Sequence, residues 1–280
     1  APLALPSDVV DAAPAPADYA AARLFCARVR QAQPGYEPTP AEYADIAAIC
    51  RSLDGVPLAL ELAAARVPLL GTAGVRTRLS QRFALLTRGA RDAAARQRSL
   101  TAALDWTYAL LPASEQRALQ WLSVFAGSLT PDAAEAQLAK LPGLDELPLD
   151  IVDALVERSL LVPEATPEGP RLRFFNSVRR YALERLAEAG GEPAARAAHL
   201  HGLRLRFERA DAEQFHTPQH RWLPPLGAEL DNLRSALRFG LAAEAPAAAR
   251  EDALRLLCAS SLFWAVGGMR VEGLRWFETA

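Results

Sequence analysis

The residues of this sequence that chemistry would call on first are its histidines, its cysteines and a cluster of arginines. His199 and His201 stand two apart on a predicted helix, so they point to different faces and cannot share a metal ion. His216 and His220 are four apart, a spacing at which helical histidines meet, but Pro218 lies between them and breaks the helix. The three cysteines, Cys26, Cys50 and Cys258, are widely separated and form no CxxC, so neither a zinc site nor a disulfide framework is indicated. Cys26 and Cys50 fall among apolar residues of predicted helices and read as buried free thiols. The sequence holds no GxSxG, no HExxH and no paired-carboxylate arrangement. It also holds no GxxxxGK[ST] and no hydrophobic strand ending in aspartates, the elements that cradle phosphates and bind magnesium. No catalytic residue and no metal ligand is assigned, and the expected character is non-enzymatic.

Arg171, Arg173, Arg179 and Arg180 are close enough in sequence to form a basic patch. A formal charge of -2 argues against general attraction to polyanions, although one basic face would be compatible with it. The helix expected just before this cluster, LPLDIVDALVERSL, carries Asp150, Asp153 and Glu157 against the single base Arg158. A surface that neutralises phosphates should be basic, so this helix is expected to pack on protein, and DNA is disfavoured as a partner. The five tryptophans are scattered over amphipathic faces and read as core anchors.

The elements that position these residues are helical. Hydrophobic residues make up 51% of the chain, much of it helix-favouring alanine, and aromatics only 7%, too few for a large β-sandwich. Residues 1–17 are rich in Pro and Ala and read as a linker or lead-in. Asp18 is a suitable cap for a helix with Ala22, Phe25 and Val29 on one face. Thr39, Pro40 and Glu42 form a capping box, Ile46, Ile49, Cys50 and Leu53 follow at helical spacing, and Gly55 ends that helix. Pro57 opens the next, LALELAAAR, which is apolar on most sides and expected to be buried. A shorter helix with Leu79, Phe83 and Leu86 comes next, and the basic connector Arg88 to Arg98 marks a domain boundary near residue 95.

Residues 96–190 change character. Helices are expected over LTAALDWTYALL, SEQRALQWLSVF, PDAAEAQLAK behind Thr130-Pro131, and LDIVDALVERSL. The runs around Leu160-Leu161-Val162 and Arg171 to Phe175 flank the turn-rich EATPEGP, with Leu172 and Phe174 on one face and arginines on the other. Helices followed by one hairpin give the layout of a winged helix. Asn176 is a suitable cap for a last helix carrying Val178, Tyr181, Ala182 and Leu186. Residues 191–280 read as paired helices with turns at HTPQH, GLAAEAPA and Gly267-Gly268, the truncated start of a tetratricopeptide-like array. The fold class expected is mainly α: a small helical lid, a winged helix with one β-hairpin, then helical repeats. No basic n-region opens the chain and no apolar run is long enough for a membrane span, so a cytoplasmic protein without membrane contact is expected, cut from a longer chain.

DGVPLALELAAAR at 54–66 resembles the GxP segment of STAND-type signalling ATPases, the class of NB-ARC proteins and the AfsR- and MalT-like bacterial regulators. RQRSLTAALDWTYALL, EQRALQWLSVFAGSLT, DALVERSLL, RLRFFNSVRRYALERL, ELDNLRSAL and EGLRWFETA continue the resemblance in the same order over nearly all of 18–280. It implies a P-loop NTPase domain upstream, with residues 18–95 as its lid and 96–190 as its winged helix. The repeats would then sense an inducer or protein. ADP or ATP would bind in the full-length protein only, with Gly55 and Pro57 at the adenine. A proline ring offers a flat apolar face to a purine, and glycine leaves the turn unobstructed. A helix end followed by a proline-led helix has the same pattern without any ligand. At the family's MHD-like position stand Phe174, Phe175 and Asn176; phenylalanine cannot donate to a phosphate, so that contact is not carried over. The resemblance implies a nucleotide-switched regulator; the alternative is a winged-helix DNA-binding regulator with a ligand-sensing helical tail, or else a passive helical scaffold.

Overall fold

The structure, a computed structural model, describes residues 3–4, 19–53, 55–86, 101, 103–213 and 215–280. The rest of the 1–17 lead-in, the Asp18 cap and the Arg88 to Arg98 connector lie outside the described residues. What is described is mainly helical with a single two-stranded antiparallel hairpin. The chain clusters into two compact units, one of residues 1–112 and 155–160, the other of 113–154 and 161–280.

In the first unit, α1 (Ala20–Ala32), α2 (Pro40–Ser52), α3 (Pro57–Ala64) and α4 (Val67–Leu86) are joined by α5, residues 103–109. Helix α1 buries Ala22, Phe25 and Val29, the face its spacing predicts. Helix α2 starts at a complete capping box: the Glu42 N–H donates to the Thr39 side chain, and the Glu42 carboxylate accepts from the Thr39 N–H at 2.9 Å. Two backbone donors that the helix start would leave unmade are satisfied at once. Ala59, Leu60, Leu62, Ala63 and Ala64 of α3 are all buried. Helix α3 packs on α1, α2 on α4, and their apolar faces join Ile46, Ile49, Leu53, Val75, Leu79 and Trp106 in one core. Cys26 and Cys50 lie inside it, and burial pushes the Cys50 thiol up to about 12, so it stays protonated and unreactive. Helix α4 is longer than its spacing suggests, and breaks at Gly71, whose φ of 68 and ψ of 165 are non-helical.

In the second unit, α6 (Ala113–Leu122) leads to an antiparallel bridge between Leu129 and Leu172. Then come α7 (Pro131–Leu138), α8 (Pro148–Glu157), of which residues 155–157 cluster with the first unit, β1 (Val162–Thr166), β2 (Gly169–Arg173) and α9 (Asn176–Glu188). Thr130 caps α7 by accepting from the Ala133 N–H at 3.2 Å, as Thr130-Pro131 predicts. The described order is helix, bridge, two helices and hairpin. Two details depart from expectation. The strands run through most of EATPEGP, pairing Val162 with Arg173 and Thr166 with Gly169, because Pro163 and Pro170 are tolerated on a two-stranded ribbon and only Pro167 and Glu168 are left to turn. Asn176 is not the cap of α9: Phe175 holds that position in extended backbone, with no side-chain cap bond, and Asn176 is the first helical residue.

Six further helices follow: α10 (Glu192–Glu213), α11 (Gln219–Gly227), α12 (Leu230–Gly240), α13 (Ala247–Ala259), α14 (Ser261–Val266) and α15 (Arg270–Thr279). Helices α10, α12 and α13 pack mutually around Leu200, Phe207, Leu233, Leu237 and Leu256. Gly240 lets α12 and α13 approach closely, since a Cβ there would lie 2.4 Å from that of Ala253 and 2.8 Å from the Ala249 carbonyl. Trp106, Trp121 and Trp264 are buried, whereas Trp222 and Trp276 are only half-buried. No described helix is long and apolar enough to cross a membrane.

Candidate functional site

The corner between α2 and α3 is built from the inside outward. The Gly55 N–H returns to the Cys50 carbonyl at 3.2 Å and the Val56 N–H to that of Leu53 at 3.0 Å, which closes the end of α2. Gly55 holds φ at 64, a left-handed backbone that a Cβ would disfavour. Val56 is in extended backbone, and Pro57 is the first residue of α3, where its missing N–H costs nothing. Gly55 is buried; Val56 and Pro57 are half-buried. The lead-in returns to the same corner: the Leu3 N–H donates to the Gly55 carbonyl at 2.9 Å, and Leu3 packs against the core. The one acid of α3, Glu61, has its pKa raised by burial, against the pull of the Arg28 charge.

Of the four arginines of the expected basic patch, Arg171 and Arg179 are drawn into the protein's own contacts, while Arg173 and Arg180 stay exposed. Arg171 was placed on the outer face of its strand, yet it is 3% exposed. Its Nε donates to the Ser128 hydroxyl at 2.6 Å, and its Nη2 to the Ser128 carbonyl at 2.9 Å and the Glu229 carboxylate at 2.8 Å. Glu229 is also 3% exposed at its side chain, so this is a fully buried ion pair. Asn232, one helical turn on, accepts from the Ala126 and Gly127 N–H groups at 2.9 and 3.0 Å. Its Nδ2 donates to the Ser128 carbonyl at 2.8 Å and to Glu229 at 2.7 Å. The loop after α6, strand β2 and the start of α12 thus share one polar junction.

Arg179 donates through Nε to the Phe125 carbonyl, and burial, with the nearby Arg196 charge, lowers its pKa. Arg173 lies 5.4 Å from the Phe175 ring centroid and 3.9 Å from Glu164, and Arg180 lies 3.9 Å from Glu184. Helix α8 turns Asp150, Asp153 and Glu157 to solvent. Of the MHD-like positions, Phe174 is buried and Phe175 half-buried beneath Arg173.

His199 and His201 part company as their spacing requires: His199 is buried, while His201 Nδ1 lies 3.1 Å from Asp252. His216 and His220 are exposed on either side of Pro218, which precedes α11. Among the described residues no three of His, Cys, Asp and Glu are grouped to hold a metal ion. The junction was not legible locally, because apart from Glu229 and Asn232 its bonded partners are more than forty residues apart, as in the 43-residue span from Ser128 to Arg171. The only available signal was a charged residue, Glu229, directly ahead of an amphipathic helix with Asn232 one turn later.

No protein family model matches the chain, and no solved structure matches it. Curated relatives do. The chain is 34% identical over 271 residues to the Mycobacterium tuberculosis protein named "Putative HTH-type transcriptional regulator Rv0890c", and equally to a Mycobacterium bovis protein, Mb0914c, of the same description. That similarity covers 92% of this chain and 29% of each relative. A further Mycobacterium tuberculosis relative, "Uncharacterized protein Rv0894", is 33% identical over 199 residues, 71% of this chain and 48% of its own length. The chain therefore spans less than a third of the regulators it matches and about half of the uncharacterized relative.

Proposed function

We propose that this chain is the regulatory and sensor portion of a transcriptional regulator. The observation that carries the reading is its similarity, over 92% of its length, to relatives named as HTH-type transcriptional regulators. Most of those relatives' length lies outside the match, which leaves room there for DNA-reading and nucleotide-binding domains. The finer proposal is a nucleotide-switched protein. An upstream P-loop NTPase domain of the same protein would be held shut around ADP by this portion, and released when an inducer or protein engages the C-terminal helices. Such a switch needs two packings of similar energy, with ligands that bind them unequally. In that arrangement Pro57 and Gly55 face the adenine, nucleotide binds in the full-length protein, and this portion performs no catalysis. A cytoplasmic site of action follows from the same reading.

The relatives' names favour a second reading at the level of class, a winged-helix DNA-binding regulator with a ligand-sensing tail, since they name a helix-turn-helix and no ATPase. Against α8 as the reader stand its exposed acids and the engagement of Arg171 and Arg179 elsewhere. Fluorescence anisotropy with random duplex DNA decides between them. The expected result is no binding tighter than about 10 µM at about 50 mM salt. Submicromolar, steeply salt-dependent binding that Arg158→Glu and Arg173→Glu abolish would establish the DNA-binding reading instead. For the switch, association with the P-loop domain is expected to depend on ADP, and Pro57→Glu to weaken it.

A further inference from the structure

Within the second unit, α7 and α10 border a cavity of about 370 Å³, inside the size range of small-molecule sites. His199 of α10 lines it. Its imidazole is 4% exposed and meets the Phe125 ring edge-on, with centroids 4.6 Å apart. Burial, reinforced by the charges of Arg196 and Arg179, pushes the His199 pKa down to about 3, so the ring is neutral near pH 7. Its Nε2 is buried with no hydrogen-bond partner. An interior polar atom left unpaired is costly, and native proteins rarely keep one without a reason.

Arg206, seven residues further along α10 and so on the same face, lines the same cavity. Its Nε is buried and unpartnered too. Its Nη2 lies 3.6 Å from Glu229, but that carboxylate is already engaged by Arg171 at 2.8 Å. Lys140 and Arg209 line the cavity as well, while Asp132 is the only other acid there. The rest of the wall mixes apolar groups, Phe125, Leu203, Leu205 and alanines, with the polar side chains of Thr130, Gln137 and His201. The cavity thus has a cationic part around Arg206, an apolar contact at Phe125 and Leu203, and a neutral hydrogen-bonding group at His199. Seven residues of helix rise separate the two polar positions by about 10 Å.

We propose that this cavity is a binding site for a small aromatic carboxylate carrying a second polar group, with its carboxylate at Arg206, its ring beside Phe125 and its hydroxyl at His199. Nothing in the regulatory reading is needed for that binding; only the identification of the ligand as the inducer rests on it.

The test uses the whole chain and two probes, 3-(4-hydroxyphenyl)propionate and its analogue lacking the hydroxyl, 3-phenylpropionate. Binding is followed by calorimetry and by the nitrogen resonances of the His199 ring. The hydroxylated probe is expected to bind more tightly than about 1 mM and to shift Nε2. Arg206→Met should weaken both probes about tenfold or more, the loss expected for a charge-assisted bond. His199→Phe should weaken the hydroxylated probe and leave its analogue within about twofold, since only one of them reaches the imidazole. Ala136→Trp fills the cavity from an exposed wall position, without disturbing the core, and should abolish binding. Three results would each overturn the assignment: no Nε2 shift at about 10 mM of either probe, binding that survives Ala136→Trp, or an equal response of both probes to His199→Phe. A failure here leaves the DNA and P-loop association assays unaffected, so the two proposals are separable.

Discussion

Replacing Arg171 by methionine isolates the energetics of the polar junction. The substitution keeps an apolar stem of similar length and deletes the guanidinium. It removes four hydrogen bonds, two to Ser128 and one each to the Ala228 carbonyl and Glu229. Glu229 is left as a carboxylate 3% exposed, with Asn232 Nδ2 at 2.7 Å and Arg206 at 3.6 Å as its remaining company. Breaking a buried pair by removing one partner costs about 3–5 kcal/mol, and the residual contacts place this case near the lower end, about 3 kcal/mol. At about 2–4 °C per kcal/mol for a unit of this size, the melting transition of the second unit should fall by about 6–12 °C. Scanning calorimetry on the whole chain reads this. Arg234→Met is the comparison: its two bonds to Glu272 are equally short at 2.7 Å, but both side chains are 31% exposed. Solvent screening holds that pair to under about 1 kcal/mol. The double variant Arg171→Met/Glu229→Leu should recover most of the loss, because no charge is then stranded. A cost for Arg171→Met no greater than that of Arg234→Met would refute the reasoning.

Thr39→Ala should destabilise the first unit by about 1 kcal/mol in urea titrations, through loss of the α2 cap. The Thr39 N–H, and then its hydroxyl, hold the Glu42 carboxyl below the usual carboxylate range, so this contribution is present above the unfolded pKa and lost as pH falls through the folded one; the variant should flatten the acid limb of the stability curve. His199 works in the opposite chemical sense. Its neutral form is buried, so the unfolded chain takes up a proton near pH 6.5 that the folded chain refuses down to about 3, and stability falls as pH drops between those values. Between pH 7.5 and 5 the parent should lose about 2 kcal/mol more than His199→Phe, and equal slopes in the two proteins would exclude the assignment.

Where local chemistry decides the backbone, the sequence was readable. Thr39 with Glu42, Thr130 with Pro131, and Gly55 with Pro57 each act within a few residues, and each element begins or ends where those residues place it. The Gly55-Pro57 corner was legible as geometry for the same reason. Residues whose environment is made by distant segments read differently. Strand alternation put Arg171 outward, but alternation says only which face a residue takes; that this face is covered by the loop after α6 and by Glu229 is a tertiary fact. Asn176 has the right side chain for a cap, yet the chain entering from β2 stays extended one residue less than a cap there needs, and Phe175 takes the position. The Leu129–Leu172 bridge joins positions 43 apart and is too short to leave a strand pattern. The cavity beside His199 escaped because a lone buried histidine looks, in sequence, like any core residue.

Arg206 and Glu229 belong to both the junction and the cavity, which gives the two features a common physical currency. Glu229 accepts from Arg171 and Asn232 on one side and faces Arg206 on the other, and both Glu229 and Arg206 line the cavity. A buried ion pair of this kind contributes little net stability over an apolar contact, but it tolerates misalignment poorly, because any shift leaves a charge without its partner. An anion reaching Arg206 competes with Glu229 for the same guanidinium, and so bears on the outer contact of a carboxylate whose buried partner is Arg171. Under the proposed regulatory role this is where a ligand's binding energy has leverage on packing, since a ligand shifts an equilibrium only by interacting unequally with its two states. An apolar ligand filling the same volume would lack that leverage: it could occupy the cavity while leaving Arg206 facing Glu229.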